Sequence, residues 1–283
     1  MLISVVLNLL NEKRHIRDLL DSLVTQEPPF EIVIVDAGSW DGTVQIIQEY
    51  MKKHAEIKFH HHPGTRGEST NYGLSQAQGD AVATTGGDCI VNPFWLMELR
   101  KSLREYDIVG GKTINIGYHA FEDLDRVELY HRGFDISFPS ANMAWRKDVL
   151  DSINGFDPWF LTAEDIDLNF RAVEKGYTLE YNPDAIVYHR TKGSFIGFFK
   201  QAFWNGWGRK QLTMKHGRLW SSYKPQRLFE TTKSVWATAR LIVAVTGYLM
   251  CKLFEKQPEE YAQALQESGK QKKRRYRVFF PGR

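Results

Sequence analysis

The feature that most restricts this chain is the alternation, over roughly its first hundred residues, of short β-branched apolar runs with stretches whose apolar residues recur at helical spacing. Ile3 to Leu7 reads as a strand, and Ile16, Leu19, Leu20 and Leu23 fall on one face of a helix. Ile32-Val33-Ile34-Val35 is a second buried strand, Val44, Ile47 and Met51 mark another helix, and Ala81 to Thr85 is a further strand that ends against Gly86-Gly87-Asp88. A period that switches between 2 and 3.6 predicts an α/β fold, a mostly parallel sheet flanked by helices. Ligands of such sheets bind beyond the carboxyl ends of the strands, where loops converge on a crevice. Asp36 and Asp88 both fall there.

Composition enters as a limit on partners. A net charge of +3 on 283 residues excludes a uniformly basic nucleic-acid binder, and the positive charge gathers in Lys270 to Arg277. That run reads either as a solvated tail or as a contact for an anionic membrane or nucleic-acid surface. Cys89 and Cys251 have no metal-ligand spacing and suit a reducing compartment. Met1 to Val5 reads as a first strand and not a leader, so the chain is expected on the cytoplasmic side.

From Ser194 the sequence turns aromatic, with Phe195, Phe198, Phe199, Phe203, Trp204 and Trp207 followed by Arg209 and Lys210. This predicts a helix lying at a membrane interface or packed on the domain. Leu241 to Cys251 is an eleven-residue apolar run between Arg240 and Lys252. It is shorter than the ~20 residues of a spanning helix, so the expectation is an interfacial or re-entrant helix, or an oligomer contact. The division expected is 1–192 for the α/β domain, 193–256 for an aromatic and apolar helical extension, and 257–283 for a basic tail.

Four segments carry candidate chemistry. Asp36 opens a loop, Asp36 to Thr43, in which its carboxylate can accept from a nucleobase or ribose and two glycines let a ligand approach the backbone; the plain alternative is a turn at Asp41-Gly42 with Thr43 capping a helix. Arg66, at a helix entrance, can pair with a diphosphate or simply be solvated. Asp88 can hold Mg²⁺ or Mn²⁺ against substrate phosphates. Glu164, Asp165 and Asp167 put three carboxylates within four positions at a helix start. Thr162 as cap with Asp165 three residues on explains part of this; a base held over the crevice explains more, and favours Asp165 for catalysis. His189 can simply end a strand, and His60-His61-His62 converge poorly on one ion because strand side chains alternate.

Taken in order, Val5-Val6 through Asn11-Glu12, Val35 to Thr43, Ser140 to Ala144, Gly155-Phe156-Asp157, Glu164 to Arg171 and Pro183 to His189 resemble the family 2 glycosyltransferases of the GT-A, Rossmann-like fold. The resemblance covers roughly residues 2 to 190. It implies an inverting transferase in which Asp165 is the base, Asp36 contacts the nucleobase, Arg66 lies in the nucleotide site, Asp88 binds the metal and His189 completes its shell. It extends the donor site to Asn11, Glu12, Gly38, Ser39, Asn71 and Glu164. The implied cofactor is a divalent cation, Mg²⁺ or Mn²⁺, and the implied partner a nucleotide sugar. The acceptor expected from the aromatic and apolar helices is a cell-surface or polyprenyl-linked glycan, or polyprenyl phosphate itself, met at the cytoplasmic face of a membrane.

Two positions depart from the family. Gly86-Gly87-Asp88 stands where Asp-x-Asp is usual, and Leu7-Asn8-Leu9-Leu10 precedes Asn11-Glu12 where Pro-Thr-Tyr is common. The first departure keeps open a rival of another class, a nucleotide-binding module that transfers nothing. An oxidoreductase is disfavoured because no Gly-x-Gly-x-x-Gly follows the first strand.

Overall fold

In the computed structural model, residues 1–117, 126–190, 194–217, 219 and 235–258 are described; the basic run from Lys270 and most of the segment Asn115 to Asp125 lie outside them. The elements in chain order are β1 (Ile3–Leu9), α1 (Ile16–Leu23), β2 (Phe30–Asp36), α2 (Thr43–Met51), β3 (Ile57–His61), α3 (Arg66–Gln76), β4 (Ala81–Thr85), β5 (Cys89–Val91) and α4 (Trp95–Ser102). There follow β6 (Ile108–Ile116), β7 (Tyr130–His131), β8 (Phe134–Asp135), β9 (Asn142–Arg146), α5 (Lys147–Ser152), α6 (Glu164–Glu174), β10 (Leu179–Arg190), α7 (Phe195–His216) and α8 (Val235–Phe254).

Eight strands form one sheet in the order β3-β2-β1-β4-β9-β6-β10-β5. The pairs among β3, β2, β1 and β4 are parallel, as is β6 with β10, while β9 runs against both its neighbours and β5 against β10. This is the mixed, mostly parallel α/β sheet of a GT-A fold. Period 2 divides the core: Val5, Leu7 and Leu9 join α1 and α2 on one face, and Val6 joins Met143, Trp145 and α6 on the other. Strands covered on both faces need nearly continuous apolar runs, which β1 and β2 have apart from their ends, where Ser4 donates to Glu31 at 2.6 Å and Asn8 and Asp36 face the loops. The four expected residues of α1 are fully buried, each contributing roughly 1.5–3 kcal/mol.

Helix α2 is rotated by one residue from expectation. Its buried stripe is Thr43, Ile46 and Ile47, with Tyr50 partly covered, whereas Met51 is exposed. Thr43 does not cap it: the cap is Gly42 at φ 105, and the Thr43 hydroxyl donates to Asp41 Oδ1 at 2.6 Å.

The last two helices run parallel. Phe195 stacks on Trp236 near their amino ends at 4.9 Å, and Trp207 and Gln211 both donate to Glu255 Oε2 beyond the far end, at 3.2 and 3.3 Å. Two glycines set the spacing. A Cβ on Gly206 would lie 1.7 Å from Ala244 O, and one on Gly247 2.0 Å from Phe203 O. Backbone therefore meets backbone, as small residues permit between closely packed helices. Helix α8 has 20 residues with mean hydropathy 1.4, so it exceeds the eleven-residue run and is long and apolar enough to cross a membrane by length and composition. The sequence run breaks at Arg240, but the helix continues back to Val235. Ile242, Val245, Leu249 and Leu253, spaced three and four apart, are each half-exposed or more along its outer side.

Candidate active site

Strand register explains how residues distant in sequence meet. On β9, Asn142 pairs with Thr85, so Ser140 and Ala141 lie just past the carboxyl end of β4, where the Gly86-Gly87-Asp88 turn begins. On β10, His189 pairs with Cys89 of β5, beside Asp88. Helix α6 then points its amino end at this edge. Its cap is Ala163 in the left-handed region at φ 63, with no side-chain cap bond, so Thr162 does not have the expected capping role. Gly208 of α7 accounts for the shape, since a Cβ there would lie within 2.9 Å of Thr162 and Ala163.

The three carboxylates of α6 have separate fates. Asp167 is fully buried and clamped between helices, accepting from Arg171 Nε, Lys215 Nζ and His216 Nε2, each at 2.8 Å. Its role is structural, and those partners hold its carboxyl below the usual range against the opposing effect of burial. Glu164 is also buried and receives Arg66 Nη1 at 3.2 Å. Asp165 Oδ2 accepts from Ser140 N and Oδ1 from Ile166 N, both at 2.9 Å. Burial, then the charge of Glu164, push its carboxyl up to about 6, with the two backbone N–H groups and Arg66 opposing. A carboxylate poised near neutrality is suited to take a proton from a hydroxyl.

A cavity of about 1750 Å³ runs along this edge. Glu12, Arg66, Asp88, Glu164, Asp165 and His189 line it. Arg66 lies among the acidic groups: the charges of Glu164, Asp165 and Asp88 all hold its guanidinium above its ordinary range, Glu164 most. Asn11, Asp36, Gly38, Ser39 and Asn71 are not among the lining residues. Asp36 is fully buried, accepting from Gly38 N and Ser39 N at 3.0 Å and facing His61 Nδ1 at 3.2 Å. Gly38, at φ 108, permits that turn. Asn11 and Ser39 staple two loops through Asn11 N to Ser39 Oγ at 2.9 Å and Trp40 N to Asn11 Oδ1 at 3.0 Å. Asn71 spends its amide on both backbone groups of Phe156. His60 and His62 both pack on the ring of Tyr72 while His61 turns to Asp36, so the triplet does not converge.

The candidate cation ligands are Asp88, Cys89 and His189, whose ligand atoms lie within 4.8 Å of one another. His189 Nε2 is 3.6 Å from Asp88 Oδ1, and its Nδ1 is 3.3 Å from Asn115 Oδ1. The Cys89 thiol is pushed up to about 12 by burial and then by Asp88, so it stays neutral and is a poor partner for a hard ion. One carboxylate and one imidazole, with phosphate oxygens supplying the rest, fit Mg²⁺ or Mn²⁺. A Cβ at Gly86, where the second family carboxylate would stand, would lie 2.9 Å from Asp88 Oδ1 and 3.1 Å from Cys89 Sγ, so a residue there requires those side chains to shift.

Residues 4–152 match the family described as Glycosyl transferase family 2. The chain belongs to this family. The related Glycosyl transferase family group 2 matches residues 125–254, which takes in both terminal helices. The chain is 26% identical to glycosyltransferase AglE of Haloferax volcanii over 75% of this chain and 74% of that one. It is 25% identical to the dolichyl N-acetyl-alpha-D-glucosaminyl phosphate 3-beta-D-2,3-diacetamido-2,3-dideoxy-beta-D-glucuronosyltransferase of Methanococcus voltae, over 76% and 74% of the two chains. In structure it resembles the mannosyltransferase PcManGT of Pyrobaculum calidifontis, solved with GDP-Man and Mn²⁺, with TM-score 0.63 at 19% identity over 99% of this chain and 83% of that one. This family 2 member is thus a glycosyltransferase.

Sequence reasoning missed the backbone N–H of Ser140 that fixes Asp165, and two cavity-lining arginines, Arg209 and Arg240. The Ser140 contact has no side-chain signature. The arginines are visible in sequence only as flanks of apolar stretches.

Proposed function

We propose that the chain transfers a sugar, with inversion, from a nucleotide diphosphate sugar to a lipid-linked glycan or polyprenyl phosphate at the cytoplasmic face of a membrane. The observation that carries this reading is that Asp165, Arg66 and the Asp88–His189 pair share one cavity. Asp165 takes the proton of a sugar hydroxyl on a lipid-linked glycan, or the last proton of the phosphate where the acceptor is polyprenyl phosphate; the acceptor oxygen bonds to the anomeric carbon as the bond to the diphosphate oxygen breaks on the opposite side. Arg66, anchored by Glu164, meets the negative charge left on the diphosphate. A divalent cation held by Asp88 and His189 would neutralise part of that same charge. Asn11, Asp36, Gly38 and Ser39 shape the nucleobase loop, and Asn71 holds the Phe156 segment.

The membrane assignment is supported by the apolar outer stripe of α8 and by the window in which 17% of residues are buried. The relative from M. voltae is named for a dolichyl-linked phosphate substrate. Free, buried Cys89 and Cys251 suit a reducing compartment. A thermal-shift screen of nucleotide sugars with Mn²⁺, followed by NMR of the anomeric configuration of the product, tests the proposal. An inverted product from the stabilising donor is expected. Tight nucleotide binding with neither transfer nor hydrolysis would instead establish a binding module.

A further inference from the structure

The cavity is larger than the roughly 300–1,000 Å³ of a single small-ligand site, at about 1750 Å³, and its walls differ in composition. Around the donor residues it carries Glu12, Asp88, Glu164 and Asp165 with Arg66, and its middle carries charges of both signs, Lys112, Arg126, Glu128, Asp135 and Glu180. Its far wall is made by α7 and α8. Phe198, Ala202, Asn205 and Arg209 recur four, three and four apart, and Ala237, Leu241 and Ala244 recur in the same way beside Arg240. Each set is one helix face. Among the described lining residues this wall has two arginines and no carboxylate.

Position fixes what the arginines can reach. Gly208 packs against Thr162 and Ala163, so Arg209 sits next to the entrance of the helix bearing Asp165, with Nη2 donating to Val127 O at 2.9 Å. The Gly206–Ala244 and Gly247–Phe203 contacts and the Phe195–Trp236 stack together put Arg240 level with about residue 199, roughly 15 Å from Arg209 along the helix axis at ~1.5 Å per residue. The outer side of α8 carries the exposed stripe Ile242, Val245, Leu249 and Leu253.

We infer that this wall is the acceptor's head-group site: Arg209 and Arg240 bind a phosphate or diphosphate whose apolar chain leaves along α8. The inference rests on the transferase reading and narrows it, since charge-assisted bonds from two guanidinium groups favour a phosphate over the hydroxyls of a neutral glycolipid. Ala202 and Ala237 keep the wall low enough for a ligand to lie against it, while Gly206 and Ala244 hold the two helices together.

The test measures binding to the full chain in detergent, by tryptophan fluorescence, of farnesyl phosphate, farnesol and inorganic phosphate. The nucleoside diphosphate that stabilises the protein, UDP or GDP, reports that the donor end is folded. Farnesyl phosphate is expected to bind at least tenfold more tightly than farnesol and far more tightly than inorganic phosphate. Arg240→Gln and Arg209→Gln should each weaken farnesyl phosphate about tenfold, the scale of one charge-assisted hydrogen bond, and leave farnesol unchanged; Arg240→Lys should restore part of the loss. Equal binding of farnesyl phosphate and farnesol, no saturable binding of farnesyl phosphate, or a phosphate preference untouched by both glutamine variants overturns the inference. If Asp165-dependent transfer persists in that event, the head-group site alone falls. Should a variant not fold, the wild-type comparison of the three probes still decides.

Discussion

Replacing Asp165 by Asn removes the proposed base with little change in shape, and the structure sets the size of both consequences. With its carboxyl at about 6, Asp165 is roughly 97% ionised at pH 7.5, so nearly every molecule carries a competent base. The amide cannot accept the proton, and kcat should fall by about 10²–10⁴, the usual contribution of general-base catalysis, or roughly 3–5 kcal/mol in activation free energy. Stability should move much less. Raising the carboxyl from 3.8 to about 6 means the folded state holds the proton more tightly than the unfolded state. Stability therefore declines as pH rises between those values, and ionisation costs the fold up to about 3 kcal/mol. Asn is spared that cost, yet it sets an N–H₂ against one of the two backbone donors, Ser140 N or Ile166 N, which costs about 1–3 kcal/mol. The two effects nearly cancel. Single-turnover transfer measured beside chemical denaturation and nucleoside diphosphate binding checks both. Turnover within tenfold of wild type, in a variant that still folds and binds nucleotide, would remove Asp165 from the base role.

Further outcomes follow from neighbouring residues. The rate should be flat above pH 7 and fall about tenfold per unit below pH 6, because protonation of Asp165 silences the base; in Glu164→Gln the acid limb of the kcat profile should move to lower pH, since the largest charge raising Asp165 is gone. Gly206→Val should separate α7 from α8, because even a Cβ would lie 1.7 Å from Ala244 O; a loss of about 1–3 kcal/mol or more is expected in denaturant unfolding, with near-UV circular dichroism of Trp204 and Trp207 altered. Asp167→Asn should leave the pH profile in place but lower the melting temperature, because Asp167 is tied to Arg171, Lys215 and His216 and not to the cavity.

The parallel core was legible because strands covered on both faces are largely apolar, and the placement of Asp88 and Asp165 on one crevice was legible because loops at the carboxyl ends of the strands converge there. What sequence hides is where a polar group spends its hydrogen bonds. Asp36 sits at the expected strand end, but Gly38, Ser39 and His61 occupy it. Thr162 has the composition of a cap, yet the cap is Ala163 in the left-handed region, and Gly208 lets α7 pack directly on both residues. The rotation of α2 by one residue is another tertiary effect, since 43, 46, 47 and 50 make as good a stripe as 44, 47 and 51. Helix α8 looked short because Arg240 interrupts the apolar run, whereas that arginine faces the cavity and the helix goes on past it.

The proposed transfer requires the donor's diphosphate to lie between Arg66 and the Asp88–His189 pair, within reach of Asp165. A crystal structure of the chain with Mn²⁺ and the stabilising nucleotide sugar, read by anomalous scattering, tests it directly. A manganese peak bonded to Asp88 and His189 is expected, with diphosphate oxygens on both the ion and Arg66 and the anomeric carbon turned toward Asp165. Nucleotide bound elsewhere, or a sugar whose anomeric carbon faces away from Asp165, would contradict it.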